Sequence, residues 1–336
     1  MALDMEDLDP TRANAKNGDE ANPLALIIEQ FTGMVHGTIE RRSVLSPFVP
    51  MRKVVGTSTF TNDAVGKSVL QKVVPGEPPA GNKSDFSKHS VIIDTLINAR
   101  EIFALLDTFQ TKYDVRRKVA TEQGKEHAKF LDQSLMIAAL KAALSTASAY
   151  STTGSDSKPA GHGTGNIKTL ASSGDALDPA ALYSGFSDLF VKMEQQDVIP
   201  REDDVVIIVP PAQWYALSQA EQLINGNYVT AEGTKLDNVA MLKTYGVPVY
   251  SSNNLPTTNI TAHLLSNANN SNFYNGDFTK VVALAMSASA VMGGETIPLT
   301  GDVFYDKISK CWFVDTHTSF GVGADRVEYA GVILKP

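Results

Sequence analysis

Few of the residues that could do chemistry in this chain have the spacing that a catalytic site requires. The run at 66–68, Gly-Lys-Ser, ends like a phosphate-binding loop, but Thr61 stands where that motif needs its first glycine. In a second candidate, Asn82 separates Gly81 from Lys83. The motif needs an adjacent Gly-Lys pair, because backbone amides and the ammonium group must meet at one phosphate. The sequence therefore predicts no nucleotide site at either place.

Metal-binding clusters and activated nucleophiles are missing as well. The histidines are His36, His89, His127, His162, His263 and His317. No two of them lie within four residues of each other, so the sequence contains no helical pair of metal ligands. The single cysteine, Cys311, stands beside Trp312 and Phe313, which predicts a small buried hydrophobe rather than a nucleophile. We therefore expect no cofactor, no metal ion and no enzymatic activity.

The composition is that of a soluble globular protein. The chain has 336 residues, of which 43% are hydrophobic and 20% charged, so it can form one large or two ordinary domains. Its formal net charge of −8 makes it a poor general binder of phosphate. The longest nearly apolar run, at 281–292, is too short to cross a bilayer. The acidic start of the chain does not fit a signal peptide, so we expect synthesis in the cytoplasm.

The first half of the chain predicts a hairpin followed by a very long helix. Residues 1–22 are polar and acidic and are expected to be mobile. A proline-glycine segment interrupts strand-like runs between 54 and 97, which predicts a long β-hairpin. From Leu106 to Leu144, apolar residues recur every three or four positions. Those 39 residues predict a helix of about 58 Å.

The second half predicts a small α/β domain and then a returning sheet. Residues 145–177 are rich in small polar residues and predict a surface loop. Asp178 and Pro179 begin a helix. The further predicted elements are a strand at 205–209, a helix opened by Pro210 and Pro211, a helix at 236–242, a strand at 247–250, an asparagine-rich loop at 253–275, and strands from Lys280, with a turn at Asp306-Lys307 and a closing strand at 327–334.

This order of elements resembles the HK97-like major capsid fold of tailed phages. The run Lys112–Arg116, followed by Gln123-Gly124, is similar to the long helix of major capsid proteins from short-tailed podoviruses of the autographivirus type. Pro75-Gly76-Glu77 is similar to their hairpin tip, and Val91–Leu96 to the strand that enters the helix. The run Val198-Ile199-Pro200, together with Asp204–Pro210 and Tyr215, is similar to the core strand of their axial domain.

The resemblance implies an α+β protein with the parts of an HK97-like shell subunit. The expected divisions are an N-terminal arm at 1–53, an extended β-hairpin loop at 54–97, the spine helix and following loop of the peripheral domain at 98–177, an axial domain at 178–285, and the C-terminal strands of the peripheral domain at 286–336.

The function that the resemblance implies is that of a major capsid protein. Such a subunit assembles into hexamers and pentamers of an icosahedral virion shell, with an isometric T=7 shell expected from short-tailed relatives. It encloses double-stranded DNA and is assembled in the bacterial host cytoplasm. Its expected partners are further copies of itself, a scaffolding protein, a portal protein at one vertex and, in some cases, a cement protein. Contact with the packaged DNA is expected to be weak, and no membrane is involved.

The candidate functional residues are therefore interfacial. Glu77 at the hairpin tip, with Lys67 and Lys83 nearby, is expected to pair across subunits, although solvated surface charge explains these residues equally well. Arg116 and Arg117 contact a neighbouring hairpin or pair within their own helix. Arg41 and Arg42 on the arm anchor to an adjacent spine helix.

Two alternatives stay open at this stage, and one covalent link is not expected. An encapsulin-type compartment shell shares the fold but encloses protein cargo, and an unrecognised soluble α/β enzyme is the other alternative. Some members of the fold join subunits through a lysine on the loop and an asparagine in the peripheral domain. Because no asparagine occurs after Asn275, we expect noncovalent clasping by the arm and the hairpin instead.

Overall fold

The computed structural model describes residues 43–65, 70–73, 75–76, 78, 81, 86–104, 115–148, 150, 163–219 and 242–336. The strands, in chain order, are β1 Met51–Lys53, β2 Thr59–Val65, β3 Phe86–Ile92, β4 Ile97–Ala104, β5 Asn166–Thr169, β6 Val206–Val209, β7 Leu242–Thr244, β8 Val247–Ser251, β9 Asn259–Ile260, β10 Gly276–Asp277, β11 Val281–Met286, β12 Val291–Asp306, β13 Cys311–Ala324 and β14 Ala330–Leu334. The helices are α1 Val115–Ala143, α2 Pro179–Glu194 and α3 Pro211–Ser218.

The contacts divide the chain into two compact units, of which the first includes residues 94–130 and 297–320. In this unit β13 pairs antiparallel with β4, and Cys311 lies opposite Ala104. The first half of α1 covers one face of this sheet through Val119 and Ala120, which pack against Val303 and Val314. A turn after Asp306 joins β12 to β13, as the sequence predicts.

The second unit includes residues 44–93, 131–296 and 321–336. Its largest sheet has the strand order β5-β14-β11-β6-β8-β7. The helix α2 packs on this sheet because Leu182, Phe186, Leu189 and Met193, spaced three or four residues apart, are completely buried. The Asp178 side chain caps the helix by accepting a hydrogen bond from the amide of Ala181 at 3.2 Å. This cap, the β6 strand and the helix opened by Pro211 confirm the predictions for this region.

The long helix and the hairpin are present with narrower bounds than predicted. The helix α1 ends at Ala143, one residue before the predicted end, and the predicted start at Leu106 lies outside the described residues. Within the described part of the hairpin, β2 pairs with β3. Residues 70–73 form no strand, because a strand pattern alone does not supply the partner that completes a hydrogen-bonded ladder.

Residues 97–104, which lie between the predicted hairpin and the predicted helix, form a strand because they pair with β13, and this pairing outweighs the helical preference of Ala, Arg and Glu there. Three predictions about local structure are wrong. Residues 166–169 lie within a predicted loop but pair parallel with β14. Leu242 begins a strand rather than ending a helix. Cys311 is partly exposed at a strand end rather than buried.

Candidate assembly surfaces

The structure leaves the seven interface residues proposed from the sequence untested. Five of them lie outside the described residues: Arg41, Arg42, Lys67, Glu77 and Lys83. Arg116 and Arg117 lie in the first turn of α1, and the description does not extend to their side chains. All seven stay predictions, and the surfaces that follow are built from other residues.

The root of the hairpin packs tightly within an apolar cluster. Phe60 and Val91 from the hairpin pack with Val54, Ile93 and Met292. The strands beneath carry glycines at the contact points. A Cβ at Gly294 would lie 2.8 Å from the ring of Phe60, and one at Gly323 would overlap the side chain of Val91. Only a glycine lets the hairpin approach this closely.

A polar clamp fastens the paired strands themselves, from Asn62 in the middle of β2 to Ser87 near the far end of the ladder. Asp325, just beyond the end of β13, accepts a hydrogen bond from the Asn62 amide at 2.7 Å and another from the Tyr150 hydroxyl. Arg52 donates to the Asn62 side-chain oxygen, so that amide is held from both ends. On the other strand, the Ser87 hydroxyl donates to the carbonyl oxygen of Tyr150 at 2.5 Å. The clamp therefore holds both strands of the hairpin.

Burial shifts the pKa values of two side chains in this clamp, Tyr150 and His89. Burial and the hydrogen bond to Asp325 raise the pKa of Tyr150, so its hydroxyl stays a donor at neutral pH. Burial lowers the pKa of His89, whose ring meets the Tyr150 ring edge-on at 6.1 Å, while the charge of Asp325 acts in the opposite direction. At neutral pH the Tyr150 hydroxyl is thus a neutral donor to Asp325, and the imidazole of His89 beside it is neutral.

The other end of the paired hairpin exposes apolar side chains. Val65 and Phe86 face each other across the last pair of the ladder, and they are 55% and 74% exposed. Leu70 and Val73 beyond them are also exposed. The salt bridge between Lys88 and Asp63 on the paired strands contributes little stability, because it is 4.0 Å long and exposed to solvent. A hairpin fixed at its root and apolar at its far end is suited to contact with another molecule.

The sheet of the first unit carries a second exposed surface on the face opposite α1. Arg100 donates to the carboxylate of Asp315 from Nε at 3.0 Å and from Nη2 at 2.5 Å. Its guanidinium also lies 5.8 Å from the ring centres of Phe304 and Phe313, which stack at 5.1 Å. Ile102, opposite Phe313 in the ladder, is 59% exposed. Such aromatic and arginine patches are typical of protein interfaces.

On its covered face, the same sheet is fixed to the long helix by polar contacts. The Gln123 amide donates to the carbonyl oxygens of Ala99 and Val314, both at 3.4 Å. His127 Nε2 lies 2.9 Å from the Thr316 hydroxyl, and burial lowers the pKa of this histidine. The exposed Arg100 face therefore belongs to a rigid platform.

A buried aspartate anchors the last part of the predicted arm. Asp132 in α1 accepts hydrogen bonds from the amides of Val44 and Leu45 at 2.9 and 3.2 Å, and from the Asn254 side chain at 3.2 Å. It is completely buried, so these donors replace water around its side chain. Residues 44–49 are thereby held within the second unit.

Sequence reasoning missed these surfaces because their residues look ordinary in the chain. Asp132 matched the polar side of the helical pattern, and Asp325 stands in a short linker between strands. Asp315 stands two residues from His317 on a strand, but its partner Arg100 lies 215 residues away. Nothing in the local spacing could have paired them.

The described residues contain no group of three or more histidine, cysteine, aspartate or glutamate side chains that could hold a metal ion. Among the helices described, none is long and apolar enough to span a membrane.

Known proteins resemble this chain both in sequence and in fold. A family model described as "Gp10A-like: Major capsid protein" matches residues 64–301. No curated protein matches the chain.

Several solved structures share the fold. The capsid structure of the cyanophage P-SCSP1u is 21% identical, with 86% of each chain covered and a TM-score of 0.70. The mature capsid of bacteriophage PhiM1 is 17% identical, with 87% of each chain covered and a TM-score of 0.71. A virus-like particle from Pyrococcus furiosus is 12% identical, covers 91% of this chain and 99% of its own, and has a TM-score of 0.53.

Proposed function

Because the chain belongs to the Gp10A-like major capsid protein family, we propose that it forms hexamers and pentamers of the icosahedral shell of a tailed phage. The predicted HK97-like fold is confirmed by the likeness to two phage capsids at TM-scores of 0.70 and 0.71. The chain is a structural protein of the virion capsid, as the sequence resemblance implied.

The hairpin is the observation that carries the proposed mode of assembly. Asp325 clamps its paired strands, and its root packs closely against glycines in the strands beneath. At the far end, Val65, Phe86 and Leu70 are exposed. A two-stranded ribbon gains little stability from its own contacts. If these apolar side chains pack on a different surface of a neighbouring copy, the contact is heterologous, and contacts of that kind can build closed rings of subunits. Each contact can be modest, because a closed shell makes many at once.

The surface that receives the hairpin is proposed to be the Arg100 face of a neighbouring copy. Arg100, Phe304, Phe313 and Ile102 provide an apolar patch with one cation at its centre. Apolar side chains from the hairpin would cover the rings, and burial of that surface from water would stabilise the contact.

The finer parts of the function are proposals as well. The domain divisions, the T=7 geometry and assembly in the host cytoplasm follow from the family resemblance. So do the scaffolding, portal and cement partners, and the role of the seven charged interface residues. The net charge of −8 supports weak contact with packaged DNA, because a shell that bound DNA tightly would hinder packaging. Lack of enzymatic activity is proposed on the absence of catalytic motifs in the sequence.

The two other functions considered are less well supported. The virus-like particle from Pyrococcus furiosus shares the fold at a TM-score of 0.53, so fold alone does not separate a compartment shell from a phage capsid. The family match over residues 64–301 favours the capsid. No observation favours a soluble enzyme.

Assembly with a scaffolding partner tests this function. The chain is co-expressed with a candidate scaffolding protein, and the product is examined by negative-stain electron microscopy and sedimentation. Closed shells of uniform diameter are the expected result. A homogeneous small oligomer in the presence of scaffold would contradict the proposal.

A substitution at the hairpin tests the mode of assembly. Phe86→Asp should reduce the yield of shells at least tenfold while leaving the unfolding free energy of the unassembled subunit within about 0.5 kcal/mol, since the side chain is mostly exposed. Leu264→Asp, at another strongly exposed position, is the matched control and should assemble normally. Equal yields from the two variants would refute a role for the hairpin end.

A further inference from the structure

A small recess in the second unit is built around a strained tyrosine. Tyr245 and Gly246 form the two-residue turn between β7 and β8, and both have positive φ, at 52° and 86°. A turn of this kind favours asparagine or glycine at its first position, and positive φ is rare for a residue as bulky as tyrosine. The aromatic ring is thus retained at a position where its backbone conformation is unfavourable.

The ring of Tyr245 forms one wall of the recess. It stacks on Tyr183 at 4.5 Å and meets Phe190 edge-on at 6.1 Å. Val191 and Pro200 add to the apolar lining, Ser187, Glu194 and Arg201 supply polar and charged lining, and the cavity measures about 120 Å³. A cavity of ~150 Å³ is enough for a benzene ring. The recess therefore has room for one aliphatic side chain.

The chain around the recess is rigid and acidic. Residues 194–204 carry five carboxylates and one arginine, a net charge of −4. Asp197 and Asp204 adopt positive φ, and the Asp203 carboxylate accepts a hydrogen bond from the Ile199 amide at 2.7 Å. A ligand for this recess should therefore combine an apolar side chain with flanking positive charge.

The turn between β12 and β13 presents such a side chain. Ile308 is 94% exposed and lies between Lys307 and Lys310. The turn is locked by Asp306, which accepts hydrogen bonds from the Ile308 amide at 3.0 Å and from the Ser309 hydroxyl at 2.5 Å. These bonds, with the charge of Lys310, lower the pKa of Asp306. Because the turn is already ordered, little conformational entropy is lost when it docks.

We propose that the Tyr245 recess of one copy receives Ile308 of a second copy of this chain, with Lys307 and Lys310 facing the acidic segment 194–204. The two surfaces differ, so the contact is heterologous and can continue from copy to copy. The inference rests on the proposed shell function and adds to it a second, independent contact between subunits. It also accounts for an aromatic side chain kept at a strained turn.

Engineered disulfides between different copies test this contact. In a Cys311→Ser background, which removes the single native thiol, one chain carries Ile308→Cys and the other Val191→Cys. The two chains are co-expressed with the scaffolding partner, and purified shells are treated with diamide. Each chain then has one thiol, so a covalent dimer joining both kinds of chain can form only between copies. Mixed shells should contain at least tenfold more dimer than shells of either variant alone.

A matched control and the parent chain distinguish a failure of the Ile308 contact from a failure of the proposed shell function. Leu264→Cys replaces Ile308→Cys in the control mixture, because Leu264 is also strongly exposed, and it should give only background dimer. Intact mixed shells with no dimer above background would overturn the Ile308 contact and leave the shell function standing. Failure of the parent Cys311→Ser chain and the unaltered chain to form shells would contradict the shell function itself.

A second measurement avoids cysteine altogether. Charge reversal by Lys307→Glu and Lys310→Glu should lower shell yield several-fold at low ionic strength, because both new carboxylates face an acidic segment. Charge reversal at Lys129 on α1 and at Lys335 after β14, neither of which lines the recess or belongs to the turn, is the control. Equal yields from the two double variants would refute the charge complementarity on which the proposal depends.

Discussion

At the scale of the residue, polar side chains that are buried or half-buried fix segments of this protein that are distant in sequence. Asp325 joins Asn62 to Tyr150, Asp132 holds the amides at 44 and 45, and Asp315 holds Arg100. A carboxylate removed from water is stable only when donors surround it. Each of these side chains therefore specifies one arrangement of the chain, and replacing it leaves its donors unsatisfied.

Asp325→Ala should destabilise the unassembled subunit by about 3 kcal/mol, because it leaves the Asn62 amide and the Tyr150 hydroxyl without their charged acceptor. Urea denaturation measures the loss. Asp188→Ala is the control, since Asp188 is half exposed and pairs with Lys168 at the surface, where a salt bridge contributes about 0–1 kcal/mol. Equal losses in the two variants would show that the clamp is not stabilising.

A buried histidine predicts the pH dependence of stability. His263 stacks on Tyr274 at 5.1 Å, and burial lowers its pKa to about 4 from the ordinary 6.5. The unfolded chain therefore binds more protons between these values. This contribution to stability is fully present above pH 6.5 and is lost as the pH falls towards 4, by at most about 3 kcal/mol.

His263→Phe should reduce the difference in unfolding free energy between pH 7 and pH 4.5, because phenylalanine keeps the stacking surface but has no proton to bind. Urea titrations of the unassembled subunit at the two pH values measure that difference. The same difference in the variant and in the unaltered chain would contradict the assignment.

At the scale of the element, the hairpin depends on glycines in the strands beneath it. Gly294 in β12 and Gly321 and Gly323 in β13 lie against Phe60, Ile93 and Val91. This close packing determines where the hairpin leaves the body of its unit. A side chain at any of these glycines would displace the hairpin root.

Gly323→Ala should cost about 1–3 kcal/mol, because the added methyl group overlaps Val91, a branched side chain that cannot move aside freely. The variant should also form fewer shells, since the far end of the hairpin would be misdirected. Gly174→Ala is the control because its Cβ would meet only an ordinary contact, 3.7 Å from the Ser172 hydroxyl. Thermal unfolding and shell yield are the measurements, and a stable, assembling Gly323→Ala variant would contradict the prediction.

At the scale of the whole molecule, the chain belongs to a capsid protein family, and the surfaces that we propose as contacts between copies are exposed in the single chain. The apolar hairpin end, the Arg100 face and the Tyr245 recess all lie open in the single chain. In a shell, many such contacts form together, so none of them needs to be strong alone.

Shells of this protein should separate completely into monomers on boiling in detergent. The reason is the lack of any asparagine after Asn275, which removes the expected partner for a lysine on the hairpin. Denaturing gel electrophoresis of purified shells measures this, and urea-washed shells assembled without DNA are a suitable control for trapped aggregates. A ladder of covalent oligomers would refute noncovalent clasping.

The sequence by itself determined the helices, the α/β order and the family resemblance. Apolar spacing in α1 and α2, the Asp178 cap and the run of hydrophobic residues at 205–209 are local signals, and a local signal acts whatever the rest of the chain does. For this reason the end of α1, the start of α2 and the strand β6 were predicted with nearly correct bounds, and the fold could be named.

Only the tertiary structure decided which strands pair and which charges meet. Residues 97–104 became a strand because β13 lies beside them, and Arg100 found Asp315 across 215 residues of sequence. The recess at Tyr245 likewise requires a helix, a loop and a turn from three separate parts of the chain. Contacts of this kind depend on the distances between folded elements, which the spacing of residues along the chain does not contain.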